Sequence, residues 1–323
     1  MRRIRKRGRA TIARLLQRCV MIAGLFLALQ VSSAHGQSEP PVRQVALTFD
    51  DLPISGTRCD TARVEYVTRR ITAVLRARRL PSAGLVTPAG ECTTPQMLAA
   101  ALAQWQNAGA IIGNHSATHP DYNATPIAAY LANIDRAQAL IDAAVATDER
   151  WFRAPQLHTG GTPAKKQALS AYLSEHGYRV APVTVDNQEW VYAAVYADAR
   201  ARDDRALAER VVDAYIAHLA ESMTYYERLS VAVFGREIPQ VLLLHANLLN
   251  AEQLERVLTM LQERGYAFVG MPAALRDPAY ARADTYVGER GLSWLQRWAR
   301  ADGVAVPPEP REAAWVAEAF RRR

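Results

Sequence analysis

Beyond about position 40, short apolar runs alternate with longer stretches whose apolar residues recur every three or four places. The short runs, rich in β-branched residues, are QVALTF, SAGLVT, AIIGN, RWFRA, RVAPVTV, QVLLLHA and YAFVG. Helical periodicity marks the stretches around 61–79, 94–108, 126–147, 163–176, 201–230 and 250–264. Strands alternating with helices predict a mostly parallel sheet with helices outside it. Seven such units in roughly 240 residues predict an α/β fold, a distorted and incomplete (β/α) barrel of about seven parallel strands. No G-x-G-x-x-G follows the first strand and no G-x-x-x-x-G-K-[ST] occurs, which argues against dinucleotide and nucleotide folds.

Two regions stand outside this alternation. Residues 191–239 form a long helical insertion between two strands, rich in Ala, Arg and Asp. Residues 276–323 form a C-terminal helical extension containing SWLQRWAR, the Pro-rich VPPEP and a last helix. Trp294 and Trp298 are four apart, and we expect both, with Trp315, to pack as helix anchors.

The N-terminus changes the reading of charge. Of 39 Lys and Arg, eight lie in residues 1–36, which hold no acid, leaving 31 basic against 32 acidic residues. The body is therefore near neutral, and the overall +7 gives no support for a nucleic-acid partner. The basic stretch, the short apolar run CVMIAGLFLALQV and the small residues after it describe a secretory signal peptide over 1–36. A secreted or periplasmic protein with no stable membrane span after cleavage is expected, the alternative being an uncleaved N-terminal anchor. Two cysteines remain after cleavage, and an even pair in an oxidising compartment makes Cys59–Cys92 a disulfide candidate.

Unusual polar residues gather where the strands end. Asp50 and Asp51 close the first strand in TFDD, His115 and His119 follow the third in NHSATH, and Arg153 ends the fourth. Asp186 ends the fifth and His245 the sixth. In parallel β/α architectures functional groups collect at these ends, so one shared site is expected. On a helical turn, His115 and His119 would face the same way and grip one divalent ion. Adjacent carboxylates repel, and a cation resolves the conflict, with Asp51 binding it beside the two imidazoles. Asp50 is then free to act as general base on the activated water, and His245 to protonate a leaving amine. Zinc suits two imidazoles and a carboxylate best, with Co2+, Ni2+ and Mn2+ fitting the same ligands.

TFDD, HSATH, RAP and LLH resemble the motifs of the NodB-homology polysaccharide deacetylases, carbohydrate esterase family four, over residues 42–275. The resemblance implies metal-dependent removal of acetyl groups from an acetylated glycan. It makes Asp50 the base, Asp51, His115 and His119 the metal ligands, and His245 the acid. Leu243 would wall the acetyl-methyl pocket, and the backbone N–H of Gln156 would share the oxyanion. Arg153 would hold Asp50, itself steered by Asp186 or Glu189, with Trp190 as groove wall. The sequence departs from the family in RAPQLHTGG, where Gln156 and Leu157 replace an aromatic residue and glycine, and His158 is placed to intrude on the cleft. Two alternatives stay open: hydrolysis of a small non-sugar amide, and a non-catalytic glycan-binding module.

Overall fold

The computed structural model describes residues 43–56, 60–89 and 93–323. The Cys59–Cys92 pair and the 1–36 signal segment lie outside them. The strands are β1 (Arg43–Leu52), β2 (Ser82–Val86), β3 (Ala110–Asn114), β4 (Arg150–Phe152), β5 (Tyr178–Val180), β6 (Gln240–His245) and β7 (Tyr266–Phe268). The helices are α1 (Thr61–Arg78), α2 (Pro95–Asn107), α3 (Ile127–Ala144), α4 (Pro163–Glu175) and α5 (Glu189–Ala201). They continue with α6 (Arg205–Phe234), α7 (Leu248–Glu263), the single turn α8 (Met271–Ala274), α9 (Trp294–Ala301) and α10 (Ala314–Arg321).

All pairings are parallel, in the order β5-β4-β3-β2-β1-β6, with β7 against the start of β1. β1 is central and shows how period two sorts its residues. Val45, Leu47 and Phe49 pack outward in the main core beneath the helices. Ala46 points the other way, joining Ala83, Leu85, Trp151, Val241 and Met271 to fill the hollow of the curled sheet. Thr48 and Asp50 share that inner face by alternation, and Asp50 stands at the strand's carboxyl end.

The sheet curls into the expected incomplete barrel, closed by one short stretch. The run RVAPVTV was expected to be one strand, but β5 stops at Val180 and Pro182 cannot donate to a ladder. Past the proline the chain crosses to the opposite edge. Ala181 N–H still donates to Phe152 O at 2.8 Å, while Val185 N–H donates to Val241 O at 3.1 Å and Leu243 N–H to Val185 O at 3.0 Å. A bend at Pro182 thus bridges the two edges.

The insertion, expected to be helical over 191–239 with periodicity marked around 201–230, consists of two helices. They are α5 and α6, joined at Arg202–Asp204, with Tyr192, Tyr215 and Tyr226 buried in the main core. The C-terminal extension joins the same compact unit, Val42–Arg323. Trp294 and Trp298 are buried as expected, and Arg210 stacks 4.1 Å over the Trp315 ring. Among the described residues, no helix is long and apolar enough to cross a membrane.

Candidate active site

In a regular strand neighbouring side chains point to opposite faces, so Asp50 and Asp51 should diverge. They do not. The β1–β2 register slips between Phe49 and Leu52, and Asp51 has φ 62°, a left-handed conformation rarely adopted by an aspartate. The irregularity turns the second carboxylate back to the first one's side. His115 Nε2 consequently lies 3.6 Å from Asp50 Oδ2 and 3.8 Å from Asp51 Oδ1.

The two histidines converge by a similar device. Residues 115–119 follow β3 as an irregular loop, correcting the expected helical turn, and Ser116 and His119 have φ of 66° and 54°. His119 Nε2 reaches within 3.7 Å of Asp51 Oδ1. Strain of this kind persists only where surrounding structure enforces it, and it recurs here at Gln156, Leu157 and Gln188. One donor atom each from Asp51, His115 and His119 lies within 4.8 Å of the others.

This donor set fits a divalent cation. His115 Nδ1–H donates to the Arg153 carbonyl at 2.9 Å, which leaves the Nε2 lone pair facing the carboxylates. Burial pushes the His115 pKa down, against the pull of Asp50 and Asp51, favouring the neutral imidazole that a metal ligand must be. Asp51 is held below the usual carboxylate range: burial opposes ionisation, but His119, His115 and His245 outweigh it. Ser55 Oγ–H donates to Asp51 Oδ2 at 2.8 Å and fixes its orientation.

Asp50 is held differently. Arg153, wholly buried, donates from one guanidinium nitrogen to Asp50 Oδ1 at 2.6 Å and to Thr48 Oγ1 at 2.9 Å. Its remaining nitrogens donate to the carbonyls of Ala181 at 3.1 Å and Pro182 at 3.2 Å. The bend that closes the barrel therefore also orients Arg153. This corrects the expectation that Asp186 or Glu189 steers Arg153: backbone carbonyls satisfy the guanidinium instead.

Glu189 serves the other side of the site. Buried at the first turn of α5, it accepts from His245 Nδ1–H at 2.7 Å and from the Asn247 side-chain amide. His245 is pulled two ways, and its pKa rises to about 9: burial lowers it, but the hydrogen bond and charge of Glu189, then Asp51 and Asp50, prevail. Its proton is thus retained at neutral pH.

A cavity of about 440 Å3 unites these groups: Asp50, Asp51, His115, His119 and His245 line it together with Leu243, Gln156, Trp190 and Asp186. Asp186 is therefore at the site, though not where it was expected. Trp190 is 46% exposed, so an aromatic face stands at the rim, with Phe320 of α10 edge-on at 5.2 Å. His158 does not intrude; its Nδ1 is tied to Asp121 at 2.7 Å, outside the cavity lining.

The sequence reading missed the supports of the divergent loop. Gly291 lies so close that an added Cβ would fall 1.8 Å from the Gln156 carbonyl oxygen. Arg297, wholly buried on α9, donates to the Leu157 carbonyl at 2.6 Å and to Thr159 Oγ1 at 2.9 Å. Its charge is balanced by Asp284 at 2.6 Å. Nothing in the local sequence links positions 291 and 297 to 156 and 157; Thr48 was missed too, though strand alternation places it on the face of Asp50.

With this geometry in view, residues 37–181 match the family model described as polysaccharide deacetylase. Over that segment, just under half of the chain, the protein is similar to the polysaccharide deacetylase family. The segment carries the three donors, Asp50 and Arg153, whereas Glu189 and His245 lie beyond it. Among solved structures, the chain is similar to the chitin deacetylase of the fungal pathogen Colletotrichum lindemuthianum, at 16% identity over 72% of this chain and 86% of that one, TM-score 0.48. It is also similar to the polysaccharide deacetylase Bc1974 of Bacillus cereus, at 21% identity over 71% and 91%, TM-score 0.47. A further similar structure is BA3943, a family-four pseudoenzyme of Bacillus anthracis, at 17% identity over 73% and 66%, TM-score 0.47. No curated protein sequence matches the chain.

Proposed function

We propose that this protein is a metal-dependent hydrolase that removes acetyl groups from an N-acetylated glycan. One observation carries the reading: a three-donor cluster with Asp50 at its side and a proton-bearing His245 on the same cavity. Asp51, His115 and His119 would hold the ion, Zn2+ being the best match to the donor set. When bound, the ion supplies Lewis acidity toward water and the acetyl carbonyl.

The chain's own groups then divide the work. Asp50, fixed by Arg153, takes a proton from the attacking water as the carbon–oxygen bond forms. His245 gives its Nε2 proton to the leaving nitrogen as the carbon–nitrogen bond breaks, yielding acetate and a free amine. Amide nitrogen is a poor leaving group without that proton, so an acid that stays loaded favours N- over O-deacetylation. Leu243, in register with Thr48 one turn of the pleat below the acid, offers an apolar wall for the acetyl methyl. Gln156 stands on the cavity wall with its backbone in the left-handed region, and its N–H would share the oxyanion.

An intact acid and base speak for catalysis over passive glycan binding. Metal-loaded protein should release acetate from N-acetylated chitin oligomers or peptidoglycan faster than from acetylated xylan. No release from any of the three would overturn the reading.

A further inference from the structure

A separate cavity of about 430 Å3 opens between α4 and the segment after α8, against the edge formed by β4 and β5. It shares no lining residue with the catalytic cavity. Its size falls in the range of roughly 300–1,000 Å3 common to small-molecule sites. Much of the wall is apolar: Leu169 and Leu173 come from α4, Trp151 and Phe152 from β4, Leu275 from the end of α8 and Trp294 from the start of α9.

The charges on this wall do not balance. Two of the cations are paired one to one, Arg179 with Glu149 at 2.7 Å and Arg282 with Asp302. The better-buried group differs. Lys166 and Arg297 both donate to a single oxygen, Oδ2 of Asp284, and both donate to Thr159 Oγ1, at 3.1 and 2.9 Å respectively. Two cations thus face one carboxylate, with side-chain exposures of 15% for Lys166, 1% for Arg297 and 15% for Asp284. Burial pushes the Lys166 pKa down; Asp284 opposes the fall and the charge of Arg297 adds to it.

Arg297 is committed, its other nitrogens donating to the carbonyls of Leu292 and Leu157. Lys166 is not. Its ammonium carries three N–H donors, and among the described residues Asp284 and Thr159 are the only acceptors they meet. A mostly buried excess cation with a spare donor calls for an anion. One carboxylate restores neutrality, and the leucine and tryptophan walls suit an apolar body behind it.

We propose that this cavity binds a small monocarboxylate with an apolar body, its carboxylate meeting Lys166 and its body lying against Leu169, Leu173, Trp151 and Trp294. The site is independent of the deacetylase reading.

The test titrates full-length Zn2+-loaded protein calorimetrically with octanoate, and with 1-octanol as the uncharged chain of equal length. Octanoate should bind one per chain, at least about tenfold more tightly than 1-octanol. Lys166→Met removes the excess charge, keeps an apolar stem and leaves Arg297 and Asp284 as a balanced pair. It should lower octanoate affinity about tenfold and leave that for 1-octanol within about twofold. Ser170→Trp, at an exposed position of the wall, puts an indole into the cavity and should weaken both ligands. Absence of octanoate binding, or equal affinity for the two ligands in wild type, overturns the site. So does octanoate binding that a natively folded Lys166→Met variant retains in full. Binding that vanishes when the Zn2+ is chelated is a carboxylate on the catalytic ion and overturns it as well. Acetate release tests the deacetylase reading separately and is untouched by any of these results.

Discussion

Asp50 and His245 are direct register partners on the adjacent parallel strands β1 and β6. Residues level across parallel strands project to the same face, so the proposed base and acid stand side by side at the carboxyl edge of the sheet. Each is then held by a separate buried partner: Arg153 grips Asp50, and Glu189 grips His245. The parallel ladder between β1 and β6 fixes the spacing of the proposed base and acid.

The roles are separable at Asp50. Asp50→Asn preserves shape but cannot take a proton, so kcat should fall by about a thousandfold while Zn2+ affinity stays within severalfold. Acetate-release kinetics beside calorimetric Zn2+ titration check it. Near-normal turnover would remove Asp50 from the base role.

His119→Ala should behave in the opposite sense. It removes one of three donors, so Zn2+ affinity should drop by at least about tenfold, with activity following metal occupancy. Equilibrium dialysis against Zn2+ reads this directly.

Glu189→Gln addresses the acid through pH. His245 must carry its proton to act, so activity is present below its pKa and lost as pH rises through it. Its value of about 9 exceeds the ordinary 6.5 chiefly through Glu189, with smaller help from Asp51 and Asp50 that a bound cation partly cancels. The alkaline limb of kcat should therefore lie above 6.5 and no higher than about 9, and Glu189→Gln should move it to lower pH. An unmoved limb would separate His245 from the acid role.

Arg153→Met leaves Asp50 as a buried carboxylate without its cation. Breaking such a pair typically costs about 3 kcal/mol, so thermal denaturation should show a clear drop in Tm at neutral pH. Arg153→Lys restores charge but cannot span Asp50, Thr48 and two carbonyls at once, and should recover only part of the loss.

Gly291→Ala tests the support of the divergent loop. The new methyl meets the Gln156 carbonyl, so the turn at 155–157 must shift. kcat should fall about tenfold or more with little change in Zn2+ affinity, because the loop carries no metal donor.

These residues also show what sequence can and cannot reveal. The seven parallel strands and the side chains at five strand ends were readable because periodicity and strand-end chemistry are local signals. The correct acid for His245 was not: DNQEW offers two carboxylates three apart, and only the start of α5 decides that Glu189 turns inward. The tether of Arg153 was equally hidden, since backbone carbonyls carry no sequence signature. That Asp51 and His119 reach the site through left-handed backbone, and not through regular strand or helix, is a product of tertiary enforcement.

The central claim is tested most directly by stripping the protein with a chelator and titrating Zn2+ back while following acetate release from N-acetylated chitin oligomers. The account predicts that release stops on chelation, returns in proportion to bound Zn2+ and saturates at one ion per chain. Release that survives complete chelation, or fails to return in protein that has bound its ion, would contradict it.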